Sequence, residues 1–305
     1  MTWFFIALIG PLLYAASNHI DKILLSKYFK EGGIGTLILF SSLLSGMALP
    51  FIYLADKTVV AIDGKSALVL AIVGILYVFV LWCYLLALKD EEASVAVVFY
   101  QLVPVFGCIL GFIVLGETLT QLQIFAAAII IFGTTIISFE IDEENRFRLR
   151  RKTILPMMAA AFFWALGSTL FKTVALEEKL WRTVFWEHLM LVFVGIFIFT
   201  FMRSYRNNFL SAIRKNSRAI LALNVTNESI YIVGNIAYSI AYLMAPIGLV
   251  LLAESFQPIF VLAIGIFLTI FFPKVTVEKI HAKHLWQKII AILITGIGTY
   301  LLLYQ

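Results

Sequence analysis

The sequence predicts an all-α membrane protein with ten transmembrane helices, arranged as two inverted five-helix repeats. Three observations predict this fold: the apolar composition, the length of the apolar segments and a weak similarity between the two halves. Apolar residues make up 62% of the chain and charged residues 13%, whereas a soluble domain is nearer half apolar and a quarter charged. Because a helix needs about 20 residues to cross a hydrocarbon core, apolar runs of that length indicate membrane crossing.

Ten apolar segments follow one another along the chain, separated by short polar breaks. We number them helix 1 to helix 10, at residues 2–20, 34–55, 66–88, 93–115, 121–140, 154–175, 183–203, 219–243, 247–272 and 287–304. The most polar break, Glu140 to Lys152, lies near the middle of the chain and is a natural linker. We therefore divide the chain into a first repeat of residues 1–145 and a second repeat of residues 146–305.

Residues of similar type recur in the two halves at offsets of 150 and 154 positions. The matching pairs are Tyr14 with Trp164, Asn18 with Ser168, Lys22 with Lys172, Tyr77 with Tyr231, Tyr84 with Tyr238, and Pro104 with Pro258. Because each half has an odd number of helices, the second half must enter the membrane in the opposite direction. Inverted repeats of this kind place a binding site at the interface between the repeats.

Polar side chains inside the apolar segments are costly unless they meet a partner or a water-filled cavity. Helix 8 shows the clearest pattern, because its polar residues recur at spacings of three and four and share one helical face. These residues are Asn224, Glu228, Tyr231, Asn235, Tyr238 and Tyr242. Hydrogen bonding between helices is the alternative explanation, but the length of the stripe favours the wall of a substrate path.

The candidate substrate-binding residues come from both halves of the chain. They are Tyr14, Asn18, Tyr77, Tyr84, Gln101, Trp164, Ser168, Asn224, Glu228, Tyr231, Asn235, Tyr238, Glu254 and Gln257. Four groups are candidates for proton coupling: Glu254, Glu228, and the neighbouring Glu187 and His188 of helix 7. A position near the membrane surface, without a function, is the alternative for the pair on helix 7. We expect no catalytic residue, metal site or cofactor.

Lys22 and Lys172 end helices 1 and 6 at equivalent positions. We expect both to extend toward the lipid headgroups; if they point inward, they would meet a carboxylate or an anionic group. Helices 5 and 10 are apolar and rich in small residues, which is typical of helix packing or of a homodimer interface. The expected partners are a small-molecule substrate and the lipid bilayer, and no nucleic acid. Walker and hydrolase motifs do not occur, so we expect neither direct use of ATP nor an enzyme.

Several segments resemble the EamA-type transporters of the drug/metabolite transporter superfamily. The resemblance rests on residues 93–105 with Leu115-Gly116-Glu117, on Trp164 to Gly167, and on Ala253 to Pro258. It implies alternating access in the cell membrane (plasma or inner membrane), with a cavity lined by helices 1, 3, 4, 6, 8 and 9 and with helices 5 and 10 behind. It also implies cytoplasmic termini, whereas 18 of the 23 Lys and Arg residues lie nearest the odd-numbered loops and place both termini outside.

The mixture of carboxylates and tyrosines on helices 8 and 9 predicts the kind of substrate. Carboxylates attract a cation, and a tyrosine face holds an ammonium group by a contact worth about 0.5–2 kcal/mol. We therefore expect secondary transport of a small amine-bearing metabolite, such as an amino acid, a related zwitterion or a cation. Two alternatives stay open: a carrier of an anionic or lipid-linked solute bound by Lys22 and Lys172, and a non-transporting membrane receptor or enzyme.

Overall fold

The computed structural model describes residues 2–29, 33–118, 120–137, 139–141, 147–149, 151–272 and 282–303. Helices account for most of these residues. The helices are α1 (Thr2–Tyr28), α2 (Gly33–Ala55), α3 (Gly64–Asp90), α4 (Ala93–Leu115), α5 (Gln121–Ile137), α6 (Arg151–Glu177), α7 (Leu180–Phe201), α8 (Arg203–Tyr242), α9 (Ile247–Phe271) and α10 (Ala282–Leu303). A short 3₁₀ helix, Lys57–Val60, joins α2 to α3.

Seven of the described helices, α1–α4, α6, α7 and α9, are long and apolar enough to cross a membrane. They carry large apolar side chains on their outer faces, such as Phe51 and Phe201, which are 74% and 70% exposed and suit contact with lipid. The chain is therefore a multi-pass membrane protein. Helix α5 has only 17 residues, α8 carries the polar stripe, and the apolar part of α10 is the shorter segment Trp286–Leu301. The number of ten crossings stays a prediction.

The helix boundaries lie within five residues of the predicted ones, with two exceptions. Helix α1 continues to Tyr28, whereas the sequence predicts an end at residue 20. Helix α8 begins at Arg203, whereas the sequence predicts residue 219. Residues 203–218 are polar, so they end the apolar segment, but they contain neither proline nor glycine. Nothing in them breaks a helix, so α8 continues outside its apolar part.

Two short strands lie between helices of the otherwise helical chain and leave the predicted all-α class unchanged. Phe139–Ile141 (β1) and Phe147–Leu149 (β2) pair as an antiparallel ladder. Each strand has an apolar, a charged and an apolar residue in succession, and this alternation suits a two-stranded ladder better than a helix. The predicted repeat boundary between residues 145 and 146 lies outside the described residues.

Helices of the first half pack against helices of the second half, and the main packing pairs are equivalent when the two halves are exchanged. Helix α1 packs on α8 and α9, and the corresponding helix of the second half, α6, packs on α3 and α4. Likewise α2 packs on α8, and α7 packs on α3. Helices α5 and α10 pack on one another. Each contact between the halves thus has a counterpart with the halves exchanged.

The side-chain contacts also give the helix directions. Asn18 of α1 meets Tyr84 of α3, and Lys22 meets Leu88, so these two helices run parallel. Helices α3 and α6 run in opposite directions, because Thr153 at the start of α6 meets Glu91 just after the end of α3. Helices α1 and α6, the first helices of the two halves, are therefore antiparallel.

Helices α4 and α9 share an interruption in their hydrogen-bonding pattern. Each changes from α-helix to 3₁₀-helix just before its proline, at Val97–Leu102 before Pro104 and at Leu252–Phe256 before Pro258. Proline has no backbone N–H to donate, so the regular α-helical ladder is weakened at this position. The tighter turns change the direction of the neighbouring side chains, and they occur at matching depths in the two halves.

Candidate functional site

A cavity of about 100 Å³ lies between the two halves of the chain. A buried water molecule needs about 10–15 Å³ on this scale, so the cavity has room for several waters or a small solute. Its lining comes from α1, α3, α4, α6, α8 and α9, the helices that the family resemblance implies, and also from α2 and α7. Helices α5 and α10 contribute nothing to the lining among the described residues.

Aromatic rings form the centre of the cavity. The Tyr14 ring stacks on Tyr231 with 5.0 Å between centroids and meets Trp164 edge to face at 5.8 Å. Trp164 in turn lies 5.4 Å from the ring of Tyr77. Since Tyr14 corresponds to Trp164 and Tyr77 to Tyr231, the two halves supply equivalent rings that meet at the interface between them.

Glu254 lies at one end of the cavity, and the Glu254 end also includes Trp164 and Tyr238. Both rings lie against the carboxylate. The side chain of Glu254 is 2% exposed. Within the described part of the chain, its Oε1 atom, the Trp164 indole nitrogen and the Tyr238 hydroxyl complete no hydrogen bond of standard geometry. Buried polar atoms of this kind are rarely left unpaired, and the Trp164 and Tyr238 donors lie close enough to the Glu254 carboxylate to pair with it.

Asp21 and Glu228 lie at the other end, which we name the Asp21 end. The Asn227 amide donates to Asp21 Oδ1 over 2.7 Å, and Glu228 follows Asn227 on the same helix. Ser41 of α2 lies beside the Glu228 carboxylate. Tyr84 donates its hydroxyl to Asn18 Oδ1 over 2.9 Å in the same region. Three carboxyl groups thus line one cavity, two at this end and Glu254 at the other.

Glu187 and His188 are each 1% exposed, so both are buried inside the protein. Their position relative to the membrane surface stays a prediction. His188 Nδ1 lies 2.6 Å from Ser45 Oγ. Tyr77 and Asn235 lie close to Glu187, although its carboxylate oxygens complete no hydrogen bond of standard geometry among the described residues. Neither residue lines the cavity. They form a second buried polar group behind its aromatic wall.

Nine of the fourteen predicted substrate-binding residues line the cavity. These are Tyr14, Asn18, Tyr77, Tyr84, Trp164, Glu228, Tyr231, Glu254 and Gln257. The other five are buried nearby without lining it: Gln101, Ser168, Asn224, Asn235 and Tyr238. Only the middle of the predicted stripe on α8 is therefore a wall of the cavity.

The rest of the stripe has structural contacts, as the alternative explanation expects. Asn224 donates to the Ile220 carbonyl of its own helix over 2.7 Å. Tyr242 donates to Ser168 Oγ over 3.1 Å and thereby joins α8 to α6. Tyr238 is 1% exposed and packs on Tyr14, with ring centroids 5.8 Å apart.

Several polar lining residues are absent from the predicted set. These are Ser17, Asp21, Ser41, Ser42, Tyr100 and Asn227. A signal existed for Ser17 and Asp21, which continue the helical face of Tyr14 and Asn18, and for Tyr100, which corresponds to Glu254. Ser41 and Ser42 gave none, because two serines in an apolar helix are typical of helix packing.

Lys172 corrects the expectation that the lysines extend to the headgroups. Its ammonium group donates to Glu117 Oε1 over 3.1 Å and to the Ala245 carbonyl over 2.8 Å. Glu117 also accepts the backbone N–H of Ile247, the first residue of α9, at 3.1 Å. Gly116 makes this possible, because its φ of 69° turns the chain at the end of α4.

Lys22 makes the corresponding contact in the first half. Its ammonium group donates to the carbonyls of Leu88 and Glu91 at the end of α3, over 2.7 and 2.6 Å. Lys22 and Lys172 are 150 positions apart, and their acceptors Glu91 and Ala245 are 154 positions apart, which are the offsets found in the sequence. Neither lysine lines the cavity.

The glycines of α5 and α10 serve the contact between these two helices. A side chain at Gly133 would meet Thr295, and one at Gly298 would meet Ile130 and the backbone of Ala126. The small residues thus allow close packing inside one chain. The predicted homodimer through these helices stays a prediction.

Comparison with known proteins agrees with this description. The sequence model of the EamA-like transporter family matches residues 1–139, which confirms the predicted resemblance over that range. No curated protein matches the chain. Among solved structures, one described as "Crystal structure of protein" aligns over 98% of this chain and 96% of its own, with a TM-score of 0.64 and 15% identity. At this identity the likeness shows the fold alone.

Proposed function

We propose that this chain, whose residues 1–139 match the EamA-like transporter family, is a secondary active transporter of a small amine-bearing metabolite. The substrate class comprises amino acids, related zwitterions and organic cations. The single observation that carries this proposal is the cavity between the halves, where three carboxyl groups face aromatic rings. Carboxylates and aromatic faces are the groups that proteins use to hold an ammonium ion.

The proposed architecture is ten membrane crossings in two inverted repeats, in the cell membrane (plasma or inner membrane). The antiparallel directions of α1 and α6, the exchanged packing pairs and the equivalent contacts of Lys22 and Lys172 support it. In this architecture, each half can adopt the conformation that the other half has, and the two resulting arrangements of the protein have similar contacts. The cavity then opens alternately to either side of the membrane.

We further propose that Glu254 or Glu228 carries a coupling proton. Both carboxyl groups line the cavity, and a buried carboxylate costs free energy unless it is paired or protonated. A cationic substrate and a proton would therefore compete for the same group. Glu187 and His188, the other candidates, are separated from the cavity by its aromatic wall and could act only through that wall.

The test is transport by the purified protein in liposomes under an imposed pH gradient, with a labelled organic amine as the solute. We expect Glu254→Gln to lower the gradient-driven initial rate at least tenfold. Glu177→Gln is the matched control, because the same change is made at an exposed position outside the cavity. Unchanged transport in both Glu254→Gln and Glu228→Gln would contradict the proposed roles.

The two alternatives receive less support from the cavity. An anionic or lipid-linked solute would need Lys22 or Lys172, and both donate to carbonyl groups outside the lining. A receptor or enzyme would need its functional groups together at one membrane face, whereas the carboxyl groups lie at both ends of the cavity. We therefore retain transport of an amine as the proposed function.

A further inference from the structure

The cavity is acidic at both ends and apolar in between. Asp21 and Glu228 lie at one end and Glu254 at the other. The Tyr14 ring marks the level of Glu254, because it contacts both Tyr238 and Trp164, which lie against the Glu254 carboxylate.

The distance between the two ends follows from the geometry of α1. Tyr14 and Asp21 are seven residues apart on this helix. At a rise of about 1.5 Å per residue, the acidic ends are separated by about 10 Å along the helix axis. The rings of Tyr14 and Tyr231 stack between them, so a ligand that reaches both ends would pass along an aromatic surface.

The cavity offers no positive charge for a carboxylate. None of its lining residues in the described part of the chain is Lys, Arg or His. The basic side chains nearest to it make other contacts. Lys22 donates to backbone carbonyls, Lys172 pairs with Glu117, and His19 Nε2 lies 2.9 Å from the Val261 carbonyl. A zwitterion would place its carboxylate among three acidic groups, which is an unfavourable arrangement.

The Glu254 end also contains buried polar atoms within reach of a ligand in the cavity. In the described part of the chain, Glu254 Oε1 and the hydroxyl of Tyr14 are buried and complete no hydrogen bond of standard geometry, although Trp164 and Tyr238 lie against the Glu254 carboxylate. The two side chains are 2% and 5% exposed, and both line the cavity. An ammonium group has three donors, so it can satisfy both acceptors at once.

We infer that this site takes a linear diamine, with one ammonium group at Asp21 and Glu228, the other at Glu254, and the alkyl chain along the tyrosines. The inference rests on the proposed function, and it narrows the substrate class from amines in general to dications without a carboxylate. It also predicts a length preference, since a chain that is too short reaches only one end. An amino acid with the same side chain should bind more weakly than the diamine.

Cadaverine and lysine test this inference directly, because lysine is cadaverine with one added carboxylate. The experiment measures competition of each compound with labelled cadaverine for the purified protein in detergent, without a membrane gradient. Pentylamine, which has the same chain with one amino group, completes the set. We expect lysine and pentylamine to bind at least tenfold more weakly than cadaverine, and putrescine to bind more weakly than spermidine.

The Glu254→Gln variant tests which group holds the second ammonium. We expect the preference for cadaverine over pentylamine to fall to less than twofold, because cadaverine loses one of its two acidic partners while both amines can still bind at Asp21 and Glu228. A misfolded variant would lose both ligands, so retained pentylamine binding separates the two outcomes. Glu177→Gln again serves as the control and should keep the full preference.

The outcomes for the inference and for the proposed function are distinguishable. Lysine or pentylamine competing as well as cadaverine would overturn the diamine inference, even if the protein transports another amine in liposomes. Selective binding of cadaverine without its transport in liposomes would support the diamine site and contradict the transport function. A protein that binds none of these amines overturns the inference whether or not transport of another solute is found.

Discussion

The ion pair between Glu117 and Lys172 connects the end of α4, the side of α6 and the start of α9, and a double-mutant cycle can measure its strength. The pair lies where α8 turns into α9, the helix that carries Glu254. The perturbations are Glu117→Gln, Lys172→Met and the two combined. These changes keep the approximate volume of each side chain and remove its charge.

The expected size follows from the geometry. At 3.1 Å, Coulomb's law gives about 5 kcal/mol for an effective dielectric constant of about 20 and about 1 kcal/mol in bulk water. The side chains of Lys172 and Glu117 are 8% and 23% exposed, so desolvation offsets part of the attraction. We expect a coupling free energy of about 1–3 kcal/mol, compared with about 0.3–0.5 kcal/mol for an ordinary helical pair.

The two single variants should differ from one another. Glu117→Gln leaves the more buried ammonium group with the Ala245 carbonyl as its described partner, whereas Lys172→Met leaves a carboxylate that still accepts the Ile247 N–H. We therefore expect Glu117→Gln to lower thermal stability more than Lys172→Met. The double variant should be more stable than Glu117→Gln alone, because it contains no unpaired charge.

The assay is thermal unfolding of the purified variants in one detergent, analysed as a cycle. The Arg182–Glu178 pair, whose partners are four positions apart in sequence with an N–O distance of 2.6 Å and similar exposure, gives a second cycle for comparison. Additive effects of Glu117→Gln and Lys172→Met would refute the reasoning, since additivity means that the two groups do not interact. A coupling below about 0.5 kcal/mol, the range of exposed helical pairs, would refute the claim that burial strengthens this contact.

Two further predictions concern a close contact and an exposed turn. Gly10→Ala should destabilise the fold by about 1–3 kcal/mol in thermal unfolding, because the new Cβ would lie 2.1 Å from the buried ring of Tyr238. The control is Gly296→Ala, which has open space around it and should change the free energy of unfolding by less than about 1 kcal/mol. Hydrogen bonds from the side chain and backbone of Thr58 hold the pKa of Asp56 below its usual value, so this contact stabilises the turn at neutral pH and is lost as the pH falls through the folded pKa. Hydrogen exchange at residues 57–60 should be faster in Asp56→Ala than in the wild type at neutral pH, and the two should converge in acid.

Most of the fold could be predicted because the bilayer imposes length and polarity on each segment. The ends of α4 were predicted at residues 93 and 115 and lie there, since Glu91 and Glu92 precede this apolar run and Gly116 ends it. The start of α8 could not be predicted in this way. Hydropathy reports where the chain leaves the apolar region, and the helix at Arg203 begins in a polar segment.

The candidate site was predictable where a polar residue recurs on one helical face, as Glu228 and Tyr231 do. Partners that come from distant helices left no trace in the sequence. Nothing in the sequence pairs Lys172 with Glu117, because the two residues are 55 positions apart and meet only when α4 packs beside α6. For the same reason, the burial of Glu187 beside Tyr77 and Asn235 could not be predicted from the sequence.

The similarity between the halves relates the two ends of the cavity, but it does not explain why both ends are acidic. The exchange of the halves relates Tyr84 and Tyr100 at the Asp21 end to Tyr238 and Glu254 at the other end. The acidic groups themselves do not obey this relation. At offsets of 150 and 154, the counterpart positions hold neutral residues: Phe171 for Asp21, Gly74 for Glu228, and Tyr100 for Glu254.

In the proposed inverted-repeat architecture, the two halves supply equivalent ends, and residues without an acidic counterpart give each end its charge. If the fold required these carboxyl groups, each would have an acidic counterpart in the other half. Because the counterparts are neutral, the fold does not require an acidic residue at these positions. By this argument, the comparison of the halves separates residues that make equivalent contacts in both, such as Lys22 and Lys172, from the carboxyl groups that we propose to bind the ligand.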